Sequence, residues 1–279
     1  MMFYQISPLT YKISRFKEIS KRKIKDRFSY KKFATTFSEE PLPVLIYKHN
    51  SLIRRKLNNV DQELQNNKAV NLAIAAPKVC NILIKPKETF SFWKLVGSIT
   101  PKKGYLEGLT VKSGTVDKDY GGGMCQFTNL IHWMVLHSSL KIVEYHHHNG
   151  IDMFPDFGRK VPFGTGTSIM YNTLDYQFYN DSEDITYQLI VYTTDEYLMG
   201  ELRASKPEKY KYHIKEDYSY FEKEDDTWYR HNQVTKRVID KVTGNEIENT
   251  IIVTNKAKVL YDEQFIDKNY IKEYLEMHL

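Results

Sequence analysis

The pattern of apolar and polar positions predicts both helices and strands, with strands dominating after residue 167. Apolar residues recur at helical spacing in 59–76, and segment 126–138 is apolar around much of its circumference, as buried helices are. Six further segments are predicted to be strands: 79–84, 140–145, 167–171, 174–180, 185–194 and 197–205. We therefore expect an α+β fold, in which a helix that starts at the sequence GGGMCQ packs on a mostly antiparallel sheet.

The composition changes after residue 207, where Lys, Glu, Asp and Tyr become dense. Segment 227–260 is predicted to form a long β-hairpin, and 263–279 a short helix. Near the other end of the chain, Pro41 and Pro43 interrupt the pattern. We therefore expect three parts: a basic N-terminal arm over 1–40, a core domain over 41–206, and a C-terminal β-hairpin and helix extension over 207–279.

The overall composition is ordinary for a soluble globular protein, with 41% hydrophobic and 27% charged residues among 279. No apolar run approaches the ~18 residues that a membrane span needs, and the opening segment lacks the apolar core of a signal peptide. The two cysteines, Cys80 and Cys125, are too few for a disulfide framework or a zinc site built from cysteines. We therefore expect a cytoplasmic location.

The net charge of +5 is concentrated at the N-terminus, where residues 1–33 hold ten basic and two acidic side chains, a net +8. Apolar residues such as Ile13, Phe16 and Ile24 give 11–33 a basic amphipathic character. Such a segment binds an anionic membrane surface or a nucleic acid backbone. The alternative is a helix packed on the body with a solvated basic face. Because no basic cluster recurs after residue 33, we expect no specific nucleic acid partner, and a peripheral position at the inner face of the membrane is compatible with the arm.

The sharpest local signal is the run Gly121-Gly122-Gly123, which ends two residues before Cys125. Three glycines let the backbone adopt unusual conformations and approach a ligand closely. A cysteine at a helix start meets unpaired N–H groups and the positive end of the helix dipole, which favours the thiolate. The same donors, with Gln126 beside them, can hold a developing oxyanion. Cys125 is therefore a candidate nucleophile, although a lone buried cysteine is also a common core residue.

Proton transfer requires a second group, and the chain offers three histidines at 146–148. A strand that returns antiparallel to the helix places His146 or His148 near Cys125, the arrangement of papain-like and transglutaminase-like enzymes. His132, in contrast, lies about 10 Å along the helix from Cys125, which is too far for direct proton exchange. His146 and His148 share one face of the strand, but two ligands make a weak metal site. We expect neither a metal nor another cofactor.

An Asp or Asn orients the imidazole in such enzymes, and three aspartates follow the histidine run. Asp175 is preferred to Asp152 and Asp156 because it starts a predicted strand, and a rigid element positions a side chain better than a loop does. Trp93, in an aromatic stretch, is a candidate stacking platform for a ligand, although core packing is the simpler explanation. Cys80 is expected in the core.

At these residues the chain resembles the VanW family, which is named for an accessory protein of B-type vancomycin resistance. The resemblance covers roughly 80–200 and rests on six stretches: 86–93, 108–110, 121–126, 144–148, 159–167 and 175–180. It implies an association with glycopeptide resistance or the cell envelope, and a cysteine-glutamine and histidine signature whose role is open. Many members follow this cysteine-glutamine pair with Ser-Thr, where this chain has Phe127-Thr128. Many larger members are also exported and carry extra surface domains, whereas this chain shows no export signal. Both departures argue against a uniform extracellular peptidoglycan role.

Two functions are consistent with these residues. The first is a cysteine-dependent acyl-transfer or hydrolase-like domain that acts on a peptide or amide of cell-wall metabolism. In it Cys125 is the nucleophile and His148 or His146 the base, and Asp175 orients the base. The second is a non-catalytic binding or accessory module whose glycine turn, 121–123, cradles an anionic or peptide ligand. In both, the expected partner is a peptide or cell-wall-related ligand.

Overall fold

The computed structural model describes residues 6–54, 62–112, 115–147, 150–156 and 158–272. Within these ranges the α-helices are α1 (Pro8–Arg27), α2 (Gln62–Ala75), α3 (Phe92–Val96) and α4 (Met124–Leu136). The strands are β1 (Lys32–Phe33), β2 (Thr36–Phe37), β3 (Val44–Leu52), β4 (Ile82–Ile84), β5 (Glu88–Ser91), β6 (Glu107–Lys112), β7 (Thr115–Tyr120), β8 (Lys141–Glu144), β9 (Ile151–Asp152), β10 (Gln177–Tyr179), β11 (Tyr187–Thr193), β12 (Tyr197–Ala204), β13 (Tyr210–Glu224), β14 (Thr227–Asp240) and β15 (Glu246–Val259). None of the described helices has both the length and the apolar character needed to cross a bilayer.

Antiparallel pairing dominates the sheets, and the predicted α+β class is confirmed. A five-stranded sheet has the order β2-β4-β11-β12-β3, and a four-stranded sheet has the order β1-β5-β10-β8. A second four-stranded sheet has the order β13-β14-β15-β9, and β6 pairs with β7. Two pairs, β1 with β5 and β9 with β15, run parallel.

Helix α4 packs on the five-stranded sheet, across β3 and β12. Its side chains Leu130, Ile131 and Met134 are buried there, in the main hydrophobic core. Gly200 of β12 lies beneath the helix, where a Cβ would stand 2.8 Å from Cδ2 of Leu130 and 2.7 Å from Cε of Met134. The absent side chain at Gly200 therefore allows the helix to approach the sheet closely.

Two predicted strands differ from the structure. Cys80 lies in the turn before β4, where it is half-buried, and not inside a strand. Asn81 has a φ of 68°, a left-handed conformation that a continuous strand does not accommodate. Segment 167–171 contributes one isolated bridge, between Met170 and Leu174, instead of a strand.

Helix α1 accounts for most of the predicted amphipathic arm. Ser7 caps its first turn by accepting the N–H of Thr10 at 3.2 Å, while the Thr10 hydroxyl accepts the N–H of Ser7 at 2.9 Å. After the helix, the Lys31 ammonium donates to Oε1 of Gln177 at 2.7 Å. The arm therefore continues directly into contacts with the core sheet.

The C-terminal region forms a three-stranded antiparallel unit, β13-β14-β15. The predicted hairpin over 227–260 corresponds to β14 and β15. Strand β13 lies in the charge-dense segment after residue 207, for which the sequence analysis predicts no strand. Half-buried residues alternate with exposed ones along the first half of β13. In the first part of the predicted helix over 263–279, the structure instead has 3-10 turns at Glu263–Phe265 and Lys268–Tyr270. Lys272 is helical, and residues 273–279 of that prediction lie outside the described ranges.

This C-terminal unit holds the segment that follows the histidine run. Strand β9 joins its edge through parallel pairing with β15. The Arg230 guanidinium donates to both carboxylate oxygens of Asp156, at 2.8 and 2.7 Å, and the Asn232 amide donates to the Phe163 carbonyl at 2.9 Å. The C-terminal strands therefore fix the positions of β9, Asp156 and Phe163.

We expect Gly200→Ala to lower the free energy of unfolding by about 1–3 kcal/mol, because the added methyl group overpacks the contact between β12 and α4. Gly166→Ala is the matched control, since its Cβ would meet nothing closer than 3.6 Å. Urea unfolding of both variants measures the difference. Equal stability of the two variants would show that α4 moves away from the sheet at little cost.

Candidate functional site

The glycine turn before α4 is built by contacts within the protein. Gly121 and Gly123 have φ values of 83° and 103°, in the region that favours glycine. A Cβ on Gly122 would lie 2.6 Å from the Cα of Gly108, so β6 and the turn touch backbone to backbone. The buried Asn71 amide secures this contact by donating to the Gly122 carbonyl at 3.1 Å. The close approach predicted for a ligand is thus made by the chain itself, and a ligand-binding role for the turn stays a prediction.

Cys125 is the second residue of α4 and is half-buried. Burial raises the pKa of its thiol, and a hydrogen bond from the backbone of Ile169 opposes this only in part. Desolvation penalises the charged thiolate more than the start of the helix favours it. The predicted bias toward thiolate is therefore wrong for this conformation, in which the resting thiol is protonated at neutral pH.

Gln126 ties the start of α4 to β3. Its amide nitrogen donates to the Leu52 carbonyl and to the Ser51 hydroxyl, each at 2.8 Å. Both amide hydrogens are therefore engaged, because a side-chain amide has two. The amide that was predicted to contact an oxyanion serves in this conformation to position the helix.

Segment 167–169 lies against α4 and connects the cysteine to the histidine run. Ile169 bonds to Cys125 through its backbone, as described above, while the N–H of Ser168 donates to the His146 carbonyl at 2.6 Å. The backbone N–H of Thr167 donates to Oδ1 of Asn129 at 2.6 Å, one helical turn beyond Cys125. The structure thus brings the backbone of His146 to the side of α4 that carries the cysteine, while His148 lies outside the described residues.

Glu144 is the carboxylate that contacts the histidine run. Its Oε1 lies 3.2 Å from Nε2 of His146 and accepts the backbone N–H of Asp175 at 2.9 Å. The Arg22 guanidinium from α1 donates to both oxygens of Glu144, at 2.8 Å each. Burial opposes ionisation of Glu144, but the Arg22 hydrogen bonds and charge prevail and hold its pKa below the ordinary value.

Asp175 is engaged on the other side of this cluster. Its buried carboxylate accepts the Ser91 hydroxyl at 2.5 Å, the Gln177 amide at 2.9 Å and the backbone N–H of Trp93 at 3.1 Å. Burial raises the pKa of Asp175 despite these donors. Within the described residues no histidine bonds to it, so its predicted orienting role stays a prediction. The two other aspartates considered for that role, Asp152 and Asp156, pair with Arg230.

His132 belongs to a buried aromatic stack. Its Nδ1 lies 3.1 Å from the Tyr176 hydroxyl, and its ring stacks on Tyr145 with centroids 4.7 Å apart. Tyr145 stacks in turn on His147, at 5.6 Å. Burial lowers the pKa of His132 to about 3, so the ring is neutral at physiological pH. His132 therefore packs in the core, as the sequence argument against a partnership with Cys125 requires.

Trp93 is part of the hydrophobic core. Its side chain is 4% exposed, and its Nε1 donates to the Leu174 carbonyl at 2.9 Å. Its ring meets Tyr171 and Phe92 edge to face, with centroids 5.6 and 4.9 Å away. Core packing accounts for every one of these contacts, and a stacking role toward a ligand stays a prediction.

One group of described residues has the arrangement of metal ligands. Atoms of Glu222, Glu224 and His231 lie within 4.8 Å of one another. Lys272 and Lys256 already pair with the two glutamates, at 2.8 and 2.6 Å, which weakens the attraction for a cation. A groove of about 470 Å³ lies elsewhere, beside Cys80, and does not reach Cys125.

Comparison with known proteins identifies the family. Residues 67–203 match the family model described as "VanW like protein". The chain is 33% identical over 229 residues to "Vancomycin B-type resistance protein VanW" of Enterococcus faecalis, and the alignment covers 82% of each chain. The chain belongs to the VanW family. It is also 29% identical over 113 residues to the "Uncharacterized protein YoaR" of Bacillus subtilis, which covers 39% of this chain and 34% of that protein. No solved structure is significantly similar.

The VanW match contains most of the candidate site and omits the helix that supports it from the N-terminal side. It includes Cys125, Glu144 and Asp175 but not α1, which carries Arg22. Sequence reasoning missed both Glu144 and Arg22. Glu144 carried a usable signal, because it stands two residues before His146 and so shares a strand face with it. Arg22 carried none, since it is one of ten basic residues in the arm.

We expect Arg22→Gln to lower the free energy of unfolding by about 1–3 kcal/mol at pH 7, because it removes charged hydrogen bonds to Glu144. Arg22 holds the pKa of Glu144 below the ordinary value, so its contribution is complete above a pH of about 4.3. The contribution is lost as the pH falls through the lower pKa of the folded state. Urea unfolding at several pH values from 7 to 3 measures this, with the exposed Lys17→Gln as control. A stability difference independent of pH would contradict the assignment.

Proposed function

We propose that this VanW-family protein is an accessory protein of glycopeptide resistance at the cell envelope that acts by binding a peptide or cell-wall-related ligand. The association with resistance is supported by the relative named "Vancomycin B-type resistance protein VanW", whose similarity extends over 82% of both chains. Binding without cysteine chemistry is the mode of action that the geometry around α4 supports best.

One observation carries this choice: the groups that would assist a cysteine nucleophile are bonded elsewhere. The Gln126 amide donates to Ser51 and Leu52, the His146 imidazole contacts Glu144, and the Asp175 carboxylate accepts Ser91 and Gln177. Burial also raises the pKa of the Cys125 thiol. A cysteine enzyme needs the thiolate and a base that removes the proton, and this conformation favours neither.

The ligand of the binding module contacts the exposed side of the glycine turn. Gly121 and Gly122 are buried, whereas Gly123, Cys125 and Gln126 keep part of their surface accessible. The first backbone N–H groups of a helix have no partner within the helix, and such groups attract anionic or carboxylate groups. The accessible end of α4 is thus the surface on which a peptide carboxylate or another anionic group binds.

The second candidate function, a cysteine-dependent acyl transfer or hydrolysis, rests on the position of Cys125. The cysteine starts a helix, and segment 167–169 connects it to the backbone of His146. In this mechanism His146 or His148 takes the thiol proton, the sulfur attacks a carbonyl carbon, and the histidine returns the proton to the leaving amine. It requires a rearrangement that releases His146 from Glu144 or brings His148 to the sulfur.

Thiol reactivity distinguishes the two functions. We expect Cys125, measured in a Cys80→Ala background, to react with iodoacetamide no faster than Cys80 does in a Cys125→Ala background. Its reaction rate should rise only at a pH above the ordinary cysteine pKa of about 8.5, because burial disfavours the thiolate. A rate about tenfold faster than that of Cys80, with an apparent pKa below about 7.5, would support the enzyme instead.

A resistance assay tests the same choice in cells. A strain whose vancomycin resistance depends on this protein should retain its resistance with Cys125→Ala, as it should with the matched control Cys80→Ala. Soluble peptidoglycan fragments, titrated against both purified variants, measure binding directly. Loss of resistance with Cys125→Ala alone, at unchanged thermal stability, would favour the catalytic function.

A further inference from the structure

Helix α1 turns its apolar side chains away from the protein. Leu9, Ile13, Phe16 and Ile24 are 66%, 50%, 72% and 59% exposed. Their spacing places them on one face of the helix, because residues three, four and seven positions apart lie on the same side. These four side chains thus form an apolar stripe that faces solvent, interrupted by Ser20 between Phe16 and Ile24; we call the four residues the outer stripe.

The opposite face of α1 is the one attached to the body. Arg22 binds Glu144 at 2.8 Å, and Asp26, one turn later, pairs with Lys94 at 3.1 Å. An ordinary surface helix buries its apolar face, whereas α1 exposes these apolar side chains and contacts the body through charged ones. Packing on the body therefore does not explain the apolar residues of the arm, and the predicted alternative of a packed helix with a solvated basic face is wrong for its apolar side.

Basic residues border the outer stripe. Lys12, Lys17, Lys23 and Arg27 are exposed and lie within about a quarter turn of the stripe on the helix surface. The first 33 residues carry a net +8, which leaves −3 for the rest of the chain. The partner that covers the outer stripe must therefore have negative charge at its surface and an apolar region beneath that charge.

An anionic lipid bilayer meets both requirements. A helix with an apolar face and flanking lysines and arginines lies in the plane of the interface, where its apolar side chains enter the acyl region and its charges meet the headgroups. A second copy of the chain is a poor occupant, because it would bring another arm of +8 against the first. Phe28 and Tyr30, strongly exposed just after α1, add the aromatic residues common at such interfaces.

We propose that α1 is a membrane-docking helix, which inserts the outer stripe into an anionic bilayer surface while Arg22 keeps the helix attached to the body. The body is thereby held beside the membrane, with the Glu144 and Cys125 region on the side of α1 that faces away from the lipid. This inference is independent of whether Cys125 is catalytic.

Co-sedimentation of the full chain with lipid vesicles tests the proposal. The protein should bind vesicles of equimolar phosphatidylglycerol and phosphatidylcholine, and bind pure phosphatidylcholine about tenfold or more weakly. The double variant Ile13→Ser/Phe16→Ser should weaken binding to the anionic vesicles by about tenfold or more. Val242→Ser/Ile251→Ser is the matched control, because these side chains, in the turn before β15 and in β15, are 89% and 61% exposed. This variant should bind like the unaltered protein.

Three results would overturn the proposal. The first is that the unaltered protein stays in the supernatant with anionic vesicles. The second is that the arm variant binds as well as the control variant. The third is that the protein is a dimer in sedimentation velocity and the arm variant a monomer, which would assign the outer stripe to a second copy. Circular dichroism checks that both variants are folded, and we expect this because the altered side chains are exposed.

Discussion

The burial of α4 is the constraint on which the rest of the structure depends. The helix carries apolar residues on most of its circumference, so other parts of the chain must pack around it. These parts are the five-stranded sheet, the glycine turn with β6, and segment 167–169. Each of these contacts constrains another part of the chain. The sheet requires Gly200, the turn requires Gly108 and Gly122, and segment 167–169 places the backbone of Ile169 against Cys125. The environment of the cysteine is thus a by-product of packing the helix.

Two opposing electrostatic effects meet at Cys125, and their relative size decides its chemistry. At an exposed position, the start of a helix stabilises an anion by about 0.3–1 kcal/mol. Burial of an ionised group, in contrast, costs roughly several kcal/mol unless the group is paired. The same comparison explains His132, which burial keeps neutral in the core. Glu144 has the opposite outcome, because the guanidinium of Arg22 reaches both of its oxygens.

The sequence predicted those features that depend on local pattern. Apolar residues without a polar face indicated α4, and alternation with turn residues indicated β11, β12, β14 and β15. It did not predict β13, because a strand with charged residues on its exposed face resembles a solvated loop in composition. Around the site, the two-residue spacing of Glu144 and His146 was a usable signal that the sequence analysis did not use. The choice of Asp175 as orienting group rested on strand position, and only the tertiary structure reveals its bonds to Ser91, Gln177 and Trp93.

The attachment of β9 to β15 has a consequence for the order of folding. Strand β9, Asp156 and Phe163 follow the histidine run along the chain, and their positions depend on Arg230 and Asn232 and on pairing with Lys258 and Val259. A chain emerging from the ribosome makes the core strands and α4 long before these partners. This segment beside the candidate site therefore reaches its native position only when synthesis of the chain is nearly complete. A chain shortened by its last thirty or so residues would keep every candidate site residue and still lack the strand that holds their neighbours.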